Sequence, residues 1–233
     1  MFEQEYTVRY SEVASNSDAS LHAIISYFQD TTMFHSASVG QGLKTLSDDG
    51  MAWLLASWHI KINSYPKYLQ KIRARTWATK FSGIYGYRDF EIVDENDNVL
   101  AIANSIWFLY NTREQKIQRV TPEIASIYKP EERYVFSEAE TKLRAPKEYN
   151  DLYKTVVNAR ELDTNNHVNN VNYINFALDA LPQDFEVKEL KISYKKAAVL
   201  GNEIYTGLFK DENAYICVLH DKDGAVYAVL EFR

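Results

Sequence analysis

A carboxylate, an amide and an imidazole occupy alternate positions in the second half of this sequence. The three residues are Asp163, Asn165 and His167. Carboxylate and imidazole groups can act as bases, acids or nucleophiles, and an amide can position a carbonyl oxygen, so this set suits chemistry at a carbonyl group. Alternate residues of an extended chain point to the same side. We therefore expect the three side chains to converge on one small volume.

The residues after the triplet predict a helix, because apolar side chains recur there at one-turn spacing on one helical face. They are Val168, Val171, Ile174, Leu178 and Leu181. The triplet would then stand at a helix entrance, where unpaired N–H groups and the positive end of the helix dipole favour an oxygen that gains negative charge. Capping by Asp or Asn is the structural alternative, but it needs only one short side chain and does not account for His167.

Composition excludes several classes of protein. The chain has 233 residues, enough for one large or two small domains, and its net charge of −6 disfavours general nucleic-acid binding. A single cysteine, Cys217, rules out an intramolecular disulfide framework or a thiolate metal cluster, and its apolar neighbours predict a core position. Neither a signal peptide nor an apolar run of membrane-spanning length is evident. We expect a soluble, cytoplasmic protein.

The elements that position the triplet are predicted to occur twice, each time as a strand, a helix and a run of strands. In the first copy the helix carries Leu21, Ile24, Ile25 and Phe28, and the strands are predicted at about 3–10, 51–62, 69–79, 84–93, 99–110 and 115–120. Residues 94–98 predict a hairpin turn, and a calcium loop there would lack its glycine and its closing glutamate. In the second copy, strands are predicted at about 151–159, 187–197, 203–210, 213–220 and 225–232. The charged, poorly periodic residues 122–146 read as a linker.

An internal duplication appears when residue n is set against residue n+149. Asn16 then faces Asn165, and Ile25 faces Ile174. The copies differ where the chemistry would be, because Ala14 faces Asp163 and Asp18 faces His167. The pattern predicts a duplicated α+β fold in which only the second copy carries the polar triplet.

The segment RELDTNNHVNNVNYINFALDALP, at 160–182, closely resembles the D-x-N-x-H-V-N-N-x-x-Y-I signature of acyl-acyl-carrier-protein thioesterases, the plant type and its bacterial relatives. Residues 58–81 and 87–92 are similar to segments of that family's first repeat. The resemblance implies a double hot-dog, in which each of two tandem repeats is an antiparallel sheet wrapped around a long helix. It implies an N-terminal repeat at 1–128 on the acyl-pocket side, a linker at 129–148 and a catalytic C-terminal repeat at 149–233.

The same resemblance implies hydrolysis of the thioester between a fatty acid and the phosphopantetheine of acyl carrier protein, which ends fatty-acid synthesis, without a metal or cofactor. Asp163, Asn165 and His167 would be catalytic. Asp163 could attack the carbonyl directly or activate water, His167 could orient that water or protonate the thiolate, and Asn165 could position the substrate or a catalytic side chain. Many family members have a glutamate where this chain has Ala197, and some plant members have a cysteine at Ala198. A mechanism that requires that glutamate is in doubt here.

The first repeat lacks the triplet and is expected to supply the acyl pocket, with ordinary core packing as the alternative. The candidate pocket residues are Ile25, Phe28, Trp53 and Trp58. Acidic carrier proteins predict a basic docking surface. Its candidates are Lys188, Lys191, Lys195 and Lys196, with Lys142, Arg144 and Lys147 in the linker. No nucleic-acid partner or membrane insertion is expected, and a homodimer is possible.

Three other functions remain open at this point. An acyl-CoA thioesterase could use the same scaffold. A hot-dog dehydratase or hydratase also uses Asp and His, but it adds water across a double bond. A non-catalytic acyl binder is conceivable because of Ala197. Zinc motifs with paired histidines and the G-x-S-x-G serine motif do not occur in the sequence.

Overall fold

A computed structural model describes residues 1–137 and 142–233. These residues form two compact units. The first comprises Met1–Ala56 and Ile60–Glu140, and the second comprises Ser57–His59 and Thr141–Arg233. Each unit combines an antiparallel sheet with a helix that packs on it, so both belong to the α+β class.

The first unit contains most of the predicted strands. Its elements are β1 (Phe2–Thr7), α1 (Leu21–Ser38), α2 (Leu43–Asp48), β2 (Met51–Ile62), β3 (Lys71–Ser82), β4 (Tyr85–Val93), β5 (Val99–Asn111), β6 (Lys116–Gln118) and α3 (Pro122–Ile127). The strand order is β1-β3-β4-β5-β2, with β6 paired to β5. The predicted strands and first helix are confirmed, whereas α2 and α3 were not predicted. Helix α3 lies at the start of the segment read as a linker.

Helix α1 begins where the sequence provides a cap and packs through its apolar face. The Ser20 side chain accepts a hydrogen bond from the backbone N–H of Ala23, which satisfies one of the free donors of the first turn. Leu21, Ile24, Ile25 and Phe28 are all buried. Phe28 packs against Phe90 of β4, with ring centroids 5.2 Å apart. The helix therefore covers one face of the first sheet.

Part of the predicted linker packs on the first unit through hydrogen bonds and an ion pair. The Trp77 Nε1 donates to the Arg133 carbonyl over 2.7 Å, and the Val135 N–H donates to Asp89 Oδ2 over 2.7 Å. Arg133 also forms an ion pair of 2.7 Å with Glu91. The segment looked like a linker because it is charged, but its polar groups have partners on β3 and β4. Glu138 and Glu140 of the predicted linker lie outside the described residues, and the boundaries 129–148 stay a prediction.

The hairpin turn predicted at 94–98 is confirmed. Asp94 Oδ1 accepts the N–H groups of Asn96 and Asn98 over 2.8 and 2.9 Å, and Asp97 adopts a φ of 64°. The carboxylate that a calcium loop would offer is thus used inside the turn. Within the ranges that the structure describes, no group of three or more His, Cys, Asp or Glu side chains is arranged to hold a metal ion.

The second unit repeats this arrangement on a smaller scale. Its elements are β7 (Asn150–Val156), α4 (Asn172–Leu178), β8 (Glu189–Tyr194), β9 (Glu203–Lys210), β10 (Tyr215–His220) and β11 (Val226–Phe232). The strand order is β8-β11-β10-β9-β7, with every neighbouring pair antiparallel. Cys217 of β10 is buried under α4, where its Sγ lies 3.6 Å from the Ala177 carbonyl oxygen. Burial raises the pKa of the thiol to about 12, which confirms Cys217 as a core residue.

Helix α4 is shorter than predicted and begins later. We expected helical structure from Val168, but the helix spans Asn172–Leu178. Val168 instead forms an isolated antiparallel bridge with Leu162, and the Val171 N–H bonds to Asn169 Oδ1 over 3.2 Å. Asparagine side chains compete in this way with the helical hydrogen bonds of the backbone. Val168, Val171 and Ile174 are nevertheless buried, so the apolar pattern identified core positions correctly.

The duplication is visible in the hydrogen bonds that precede each helix. Short 3-10 helices at Tyr10–Glu12 and Ala159–Glu161 stand 149 residues apart, and each is followed by a bridged turn. The protein is therefore a duplicated α+β fold of the double hot-dog type. Over the described ranges, 1–137 and 142–233, no helix combines the length and hydropathy needed to cross a membrane.

Candidate active site

The polar triplet lies in a tight turn that is closed by its own backbone. The Asp163 N–H donates to the His167 carbonyl over 2.7 Å, and the Asn166 N–H donates to the Asp163 carbonyl over 3.2 Å. Asn166 has a φ of 59°, a left-handed conformation that asparagine tolerates better than most residues. The expected extended approach is wrong, because the chain reverses between Asp163 and His167.

The Asp163 carboxylate organises this turn. Its Oδ1 accepts the backbone N–H groups of Asn165 and His167, over 2.8 and 3.1 Å. Asp163 is half-buried, so its carboxylate is held in one orientation close to the protein surface. Two bonds to one oxygen leave the other oxygen available for chemistry. The turn thus connects all three predicted residues through a single carboxylate oxygen.

The reactive atoms of the triplet are not used by the fold. In the part of the chain that the structure describes, no hydrogen bond engages Asp163 Oδ2, the Asn165 amide or the His167 imidazole. His167 is half-buried and Asn165 is exposed. A helix terminus contributes less than expected, because α4 has only 7 residues and starts five positions after His167. Stabilisation of a developing oxyanion would have to come from side chains such as the Asn165 amide.

The residues that follow β8 form hydrogen bonds with the turn. The Val168 N–H donates to the Ala198 carbonyl over 2.9 Å, and His167 forms an isolated bridge with Val199. The Ala198 N–H in turn donates to the Tyr173 hydroxyl over 2.8 Å. Tyr173 of α4 therefore connects the helix to the strand end that supports the turn.

Sequence reasoning did not assign Tyr173 a role, although the signature quoted above includes it. It is buried, and its ring lies 5.6 Å from that of Tyr194 in an edge-on arrangement. Burial is the main cause that raises its pKa to about 12, and the negative charge of Asp163 acts in the same direction. The Tyr173 hydroxyl therefore keeps its proton at neutral pH. It is a positioning residue for the turn.

No carboxylate stands where many family members have their glutamate. Ala197 at that position is exposed, and Ala198 next to it is buried. Glu203 is not a substitute, because its carboxylate accepts from Lys154 Nζ over 2.9 Å and from the Tyr205 hydroxyl over 3.3 Å. The Lys154 partner also lowers the pKa of Glu203. Asp163 therefore remains the candidate catalytic carboxylate.

The matching turn of the first repeat has the same backbone but different chemistry. Ala14 N–H donates to the Asp18 carbonyl over 2.8 Å, as Asp163 does to His167, and Ser17 has a φ of 65°. Asn16 Oδ1 replaces the Asp163 carboxylate as the acceptor of the Asp18 N–H. The Asp18 side chain forms an ion pair with Lys67. The turn at 14–18 therefore contains no imidazole, and its one carboxylate, Asp18, is already paired.

The candidate pocket residues occupy core positions. Ile25 and Phe28 are fully buried on α1, and Trp58 is buried to 1 % exposure. Trp53 is half-buried and contacts the rings of Phe81 and Tyr128, at 6.1 and 6.3 Å between centroids. Core packing accounts for these positions, so their role in an acyl pocket stays a prediction. A shallow depression of about 530 Å³ lies elsewhere in the first unit, along β1 and β3.

The basic residues proposed for docking differ in how exposed they are. Lys188, Lys195, Lys142, Arg144 and Lys147 are exposed. The Lys191 side chain, by contrast, is only 13 % exposed, and its Nζ lies 3.9 Å from Glu189 Oε1. Lys196 Nζ lies 3.2 Å from Asp221 Oδ2. Burial and then the nearby charge of Lys142 lower the pKa of Lys195. The charges of Lys142 and Lys195 therefore lie close enough to repel each other.

Comparison with known proteins yields two consecutive domain matches. The family model for the acyl-ACP thioesterase N-terminal domain matches residues 1–128, and the model for the C-terminal domain matches residues 144–227. The second match contains the turn described above.

Individual relatives agree with these matches. The chain is 30% identical over 222 residues to the chloroplastic oleoyl-acyl carrier protein thioesterase 2 of Arabidopsis thaliana. This alignment covers 84% of the chain and 59% of that relative. It is 28% identical to the chloroplastic oleoyl-acyl carrier protein thioesterase of Coriandrum sativum, over 100% of the chain and 69% of that protein. The chain thus spans little more than half the length of the Arabidopsis relative.

Solved structures show the same fold. An acyl-ACP thioesterase from Bacteroides thetaiotaomicron superposes with a TM-score of 0.89 at 18% identity, over 99% of this chain and 96% of that one. The 12:0-ACP thioesterase from Umbellularia californica superposes with a TM-score of 0.86 at 17% identity, over 100% and 96%. With both domain models matched in order over most of its length and a relative at 30% identity, the chain belongs to the acyl-ACP thioesterase family.

Proposed function

We propose that this protein hydrolyses the thioester of fatty acyl-acyl-carrier protein and releases free fatty acid, which would terminate fatty-acid synthesis. One observation carries the proposal. Asp163 Oδ1 accepts the backbone N–H groups of Asn165 and His167, so one carboxylate is fixed to the backbone of both residues, and no hydrogen bond among the described residues occupies the Asn165 amide or the His167 imidazole. The family match supplies the substrate class.

Two routes through this turn are chemically complete. In one, Asp163 Oδ2 takes a proton from water, the hydroxide adds to the carbonyl carbon, and the C–S bond breaks. In the other, Asp163 Oδ2 itself adds to the carbonyl carbon and displaces the thiolate, and water then hydrolyses the acyl anhydride. In both routes the departing sulfur takes a proton, for which His167 is the candidate donor. The proton that water loses then returns to His167, by way of Asp163 in the first route and on hydrolysis of the anhydride in the second. A positioned acid or base contributes roughly two to four powers of ten to the rate.

The Asn165 amide is proposed to hold the substrate carbonyl. Its Nδ2 can donate to the oxygen that becomes negative in the tetrahedral intermediate, and an oxyanion donor is worth about two to three powers of ten. Asn165 is exposed, so its amide can reach a thioester that enters from solvent. With Ala197 at the glutamate position, the proposed site depends on one carboxylate.

The two repeats are proposed to divide the work. The second repeat, 149–233, would carry the catalytic turn, and the first, 1–128, would bind the acyl chain near Ile25, Phe28, Trp53 and Trp58. Support comes from the first turn, where Asn16 and an ion-paired Asp18 replace the reactive groups. One chain should then contain one active site.

Acyl carrier protein is the proposed partner. The proposed docking surface consists of the exposed basic residues Lys142, Arg144, Lys188 and Lys195, and Lys191 and Lys196 stay candidates although each lies near a carboxylate. Acidic partners are attracted by exposed lysine and arginine side chains. A cytoplasmic location and a homodimer stay predictions, and the plant relatives named above are chloroplastic.

The proposal is tested by thiol release from a panel of acyl-carrier-protein thioesters of different chain length, with the matching acyl-CoA thioesters in parallel. We expect free thiol and free fatty acid in equal amounts, with higher kcat/KM for the carrier-protein substrate. Faster turnover of acyl-CoA would favour the CoA-specific alternative. Acyl binding without thiol release from any substrate would favour a non-catalytic binder, which the exposed Ala197 keeps open.

A further inference from the structure

A buried arginine in the first unit forms no ion pair with an acidic side chain in the part of the chain that the structure describes. Arg88 lies in β4 and is only 6% exposed. Its Nη1 lies 2.7 Å from His35 Nδ1 and 3.2 Å from Thr76 Oγ1, and its guanidinium carbon lies 5.6 Å from the centroid of the Tyr128 ring. These partners are neutral or aromatic, so no carboxylate within residues 1–137 and 142–233 balances the charge of Arg88.

The neighbouring acids are directed elsewhere. Side chains alternate across a strand, and Arg88 and Phe90 both contact α1, through His35 and Phe28. Asp89 and Glu91 have other partners. Asp89 accepts from Asn104 Nδ2 and the Val135 N–H, and Glu91 pairs with Arg75 and Arg133. Among the described residues, Arg88 is therefore buried on the sheet face that packs against α1 without a carboxylate partner.

The cation keeps its charge at neutral pH. Burial lowers the pKa of Arg88 to about 10, which still leaves the guanidinium protonated near pH 7. His35 offers only a neutral acceptor, because burial, followed by the charge of Arg88, lowers the pKa of the imidazole to about 4. An isolated buried charge costs several kcal/mol unless an opposite charge or hydrogen bonds offset it. The site favours an anion.

The free donors define which anion fits. A guanidinium has five N–H donors, and Arg88 uses those of Nη1, so Nε and Nη2 make no hydrogen bond within the described residues. These two nitrogens form one edge of the fork, which matches the two oxygens of a carboxylate. The Tyr128 ring beside the fork contacts the rings of Trp53 and Phe81, so the surroundings are apolar and aromatic.

We propose that Arg88 forms a carboxylate-binding site inside the first unit, which takes an organic acid with an apolar body through its Nε and Nη2 donors. The carboxylate would neutralise the buried charge, and the apolar body would lie against the aromatic rings around Tyr128. Arg88 lies in the first unit, and the catalytic turn lies in the second. The proposal does not depend on the hydrolase activity.

The test uses isothermal titration of the full chain with octanoate and with octanamide, which share the apolar body and differ in charge. We expect octanoate to bind at least ten times more tightly than octanamide. Equal affinities would overturn the proposal without any substitution. If sodium chloride or acetate at equal concentration displaces octanoate completely, the site is one for small anions and the proposed organic acid is wrong.

Variants locate the binding. Arg88→Met should abolish the preference for octanoate, and Arg88→Lys, which keeps the charge but loses the fork, should reduce it several-fold. Arg133→Met is the matched control, because Arg133 also lies over an aromatic ring, Trp77 at 4.4 Å, but is paired with Glu91. It should leave the preference unchanged. A preference that persists in folded Arg88→Met protein would place octanoate at another site and overturn the assignment.

Discussion

Asp163 and His167 are joined by two hydrogen bonds of opposite direction. The Asp163 N–H donates to the His167 carbonyl over 2.7 Å, and the His167 N–H donates to Asp163 Oδ1 over 3.1 Å. The backbone of one proposed catalytic residue therefore holds the side chain of the other. Both reactive groups, Asp163 Oδ2 and the His167 imidazole, remain outside this pairing in the described structure.

Replacing Asp163 by Asn should separate folding from catalysis. The amide oxygen can still accept both N–H groups, but it can neither take a proton nor attack a carbonyl. We expect kcat to fall by at least about a hundredfold with an unchanged melting temperature. Asn16→Ala is the control, because it removes the matching acceptor in the first turn. It should affect stability and leave turnover within about threefold. Near-normal activity in Asp163→Asn would exclude both roles proposed for Asp163.

Replacing His167 by Ala should reduce kcat by a similar factor, since the imidazole is the proposed proton donor for the leaving thiolate. The backbone bonds of the turn do not involve the imidazole, so thermal stability should change little. Steady-state kinetics and thermal melts on the same preparation give both values. A variant with lower stability but full activity would make His167 a structural residue of the turn.

Charge reversal at Lys142 and Lys195 together should raise the KM for the carrier-protein substrate about tenfold, because the proposed docking surface would repel an acidic partner. The KM for the same acyl group on CoA should rise less, and added salt should produce the same contrast in the unmodified protein. Lys44→Glu, at an exposed lysine paired with Asp48 in the first unit, is the control. An unchanged KM would move the docking surface elsewhere.

Enlarging Ile25 should alter substrate choice more than rate. Ile25→Phe adds volume to a buried position of α1 in the proposed acyl-binding repeat, so the preferred acyl chain should become shorter. Ile174→Phe is the matched control, because Ile174 occupies the equivalent buried position of the second repeat. Each change can cost about 1 to 3 kcal/mol of stability through overpacking, so melting temperatures are measured alongside. Unaltered preference in folded Ile25→Phe protein would remove α1 from the pocket.

His35 should make the protein sensitive to acid between pH 6.5 and about 4. Its pKa falls from 6.5 to about 4 on folding, chiefly through burial, so the unfolded chain binds more protons in this window. The stability that depends on neutral His35 is complete above pH 6.5 and is lost as pH falls toward 4, by at most about 3 kcal/mol.

The check on His35 is the free energy of unfolding of His35→Gln against the unmodified protein at pH 7 and pH 4. The variant should lose less stability over this interval. Thr32→Val, a neutral change at a buried position of the same helix, should keep the slope of the unmodified protein. Identical slopes in all three proteins would contradict the protonation of His35 on unfolding.

Periodicity and spacing predicted the strand content well because burial imposes alternation on each strand. Strand β2 runs from Met51 to Ile62, as expected, and the turn at 94–98 follows from its Asp and Asn residues. The register of n+149 also held, since bridged turns occur at both matching positions. Local pattern is sufficient where the interactions that decide the structure are themselves local.

Features that depend on specific hydrogen bonds were not predictable in the same way. The reversal at Asp163 depends on which backbone groups its carboxylate accepts, and residue types alone do not reveal this. The late start of α4 reflects asparagine side chains that compete with the helix. The isolation of Arg88 could not be read from the segment YRDFEI either, because alternation shows which residues share a face but not which charges are paired.

The matching turns at 14–18 and 163–167 have a consequence for how this protein tolerates mutation. Because both copies keep the reversal while only one keeps the reactive groups, the shape of the turn is a folding requirement and the chemistry is added to it. In a library of all single substitutions, Asn at position 163 should leave protein abundance high and activity low. At Asn166, whose φ of 59° most side chains resist, abundance and activity should decline together. Comparison of the abundance screen with the activity screen would separate the residues that stabilise the turn from those that are needed only for catalysis.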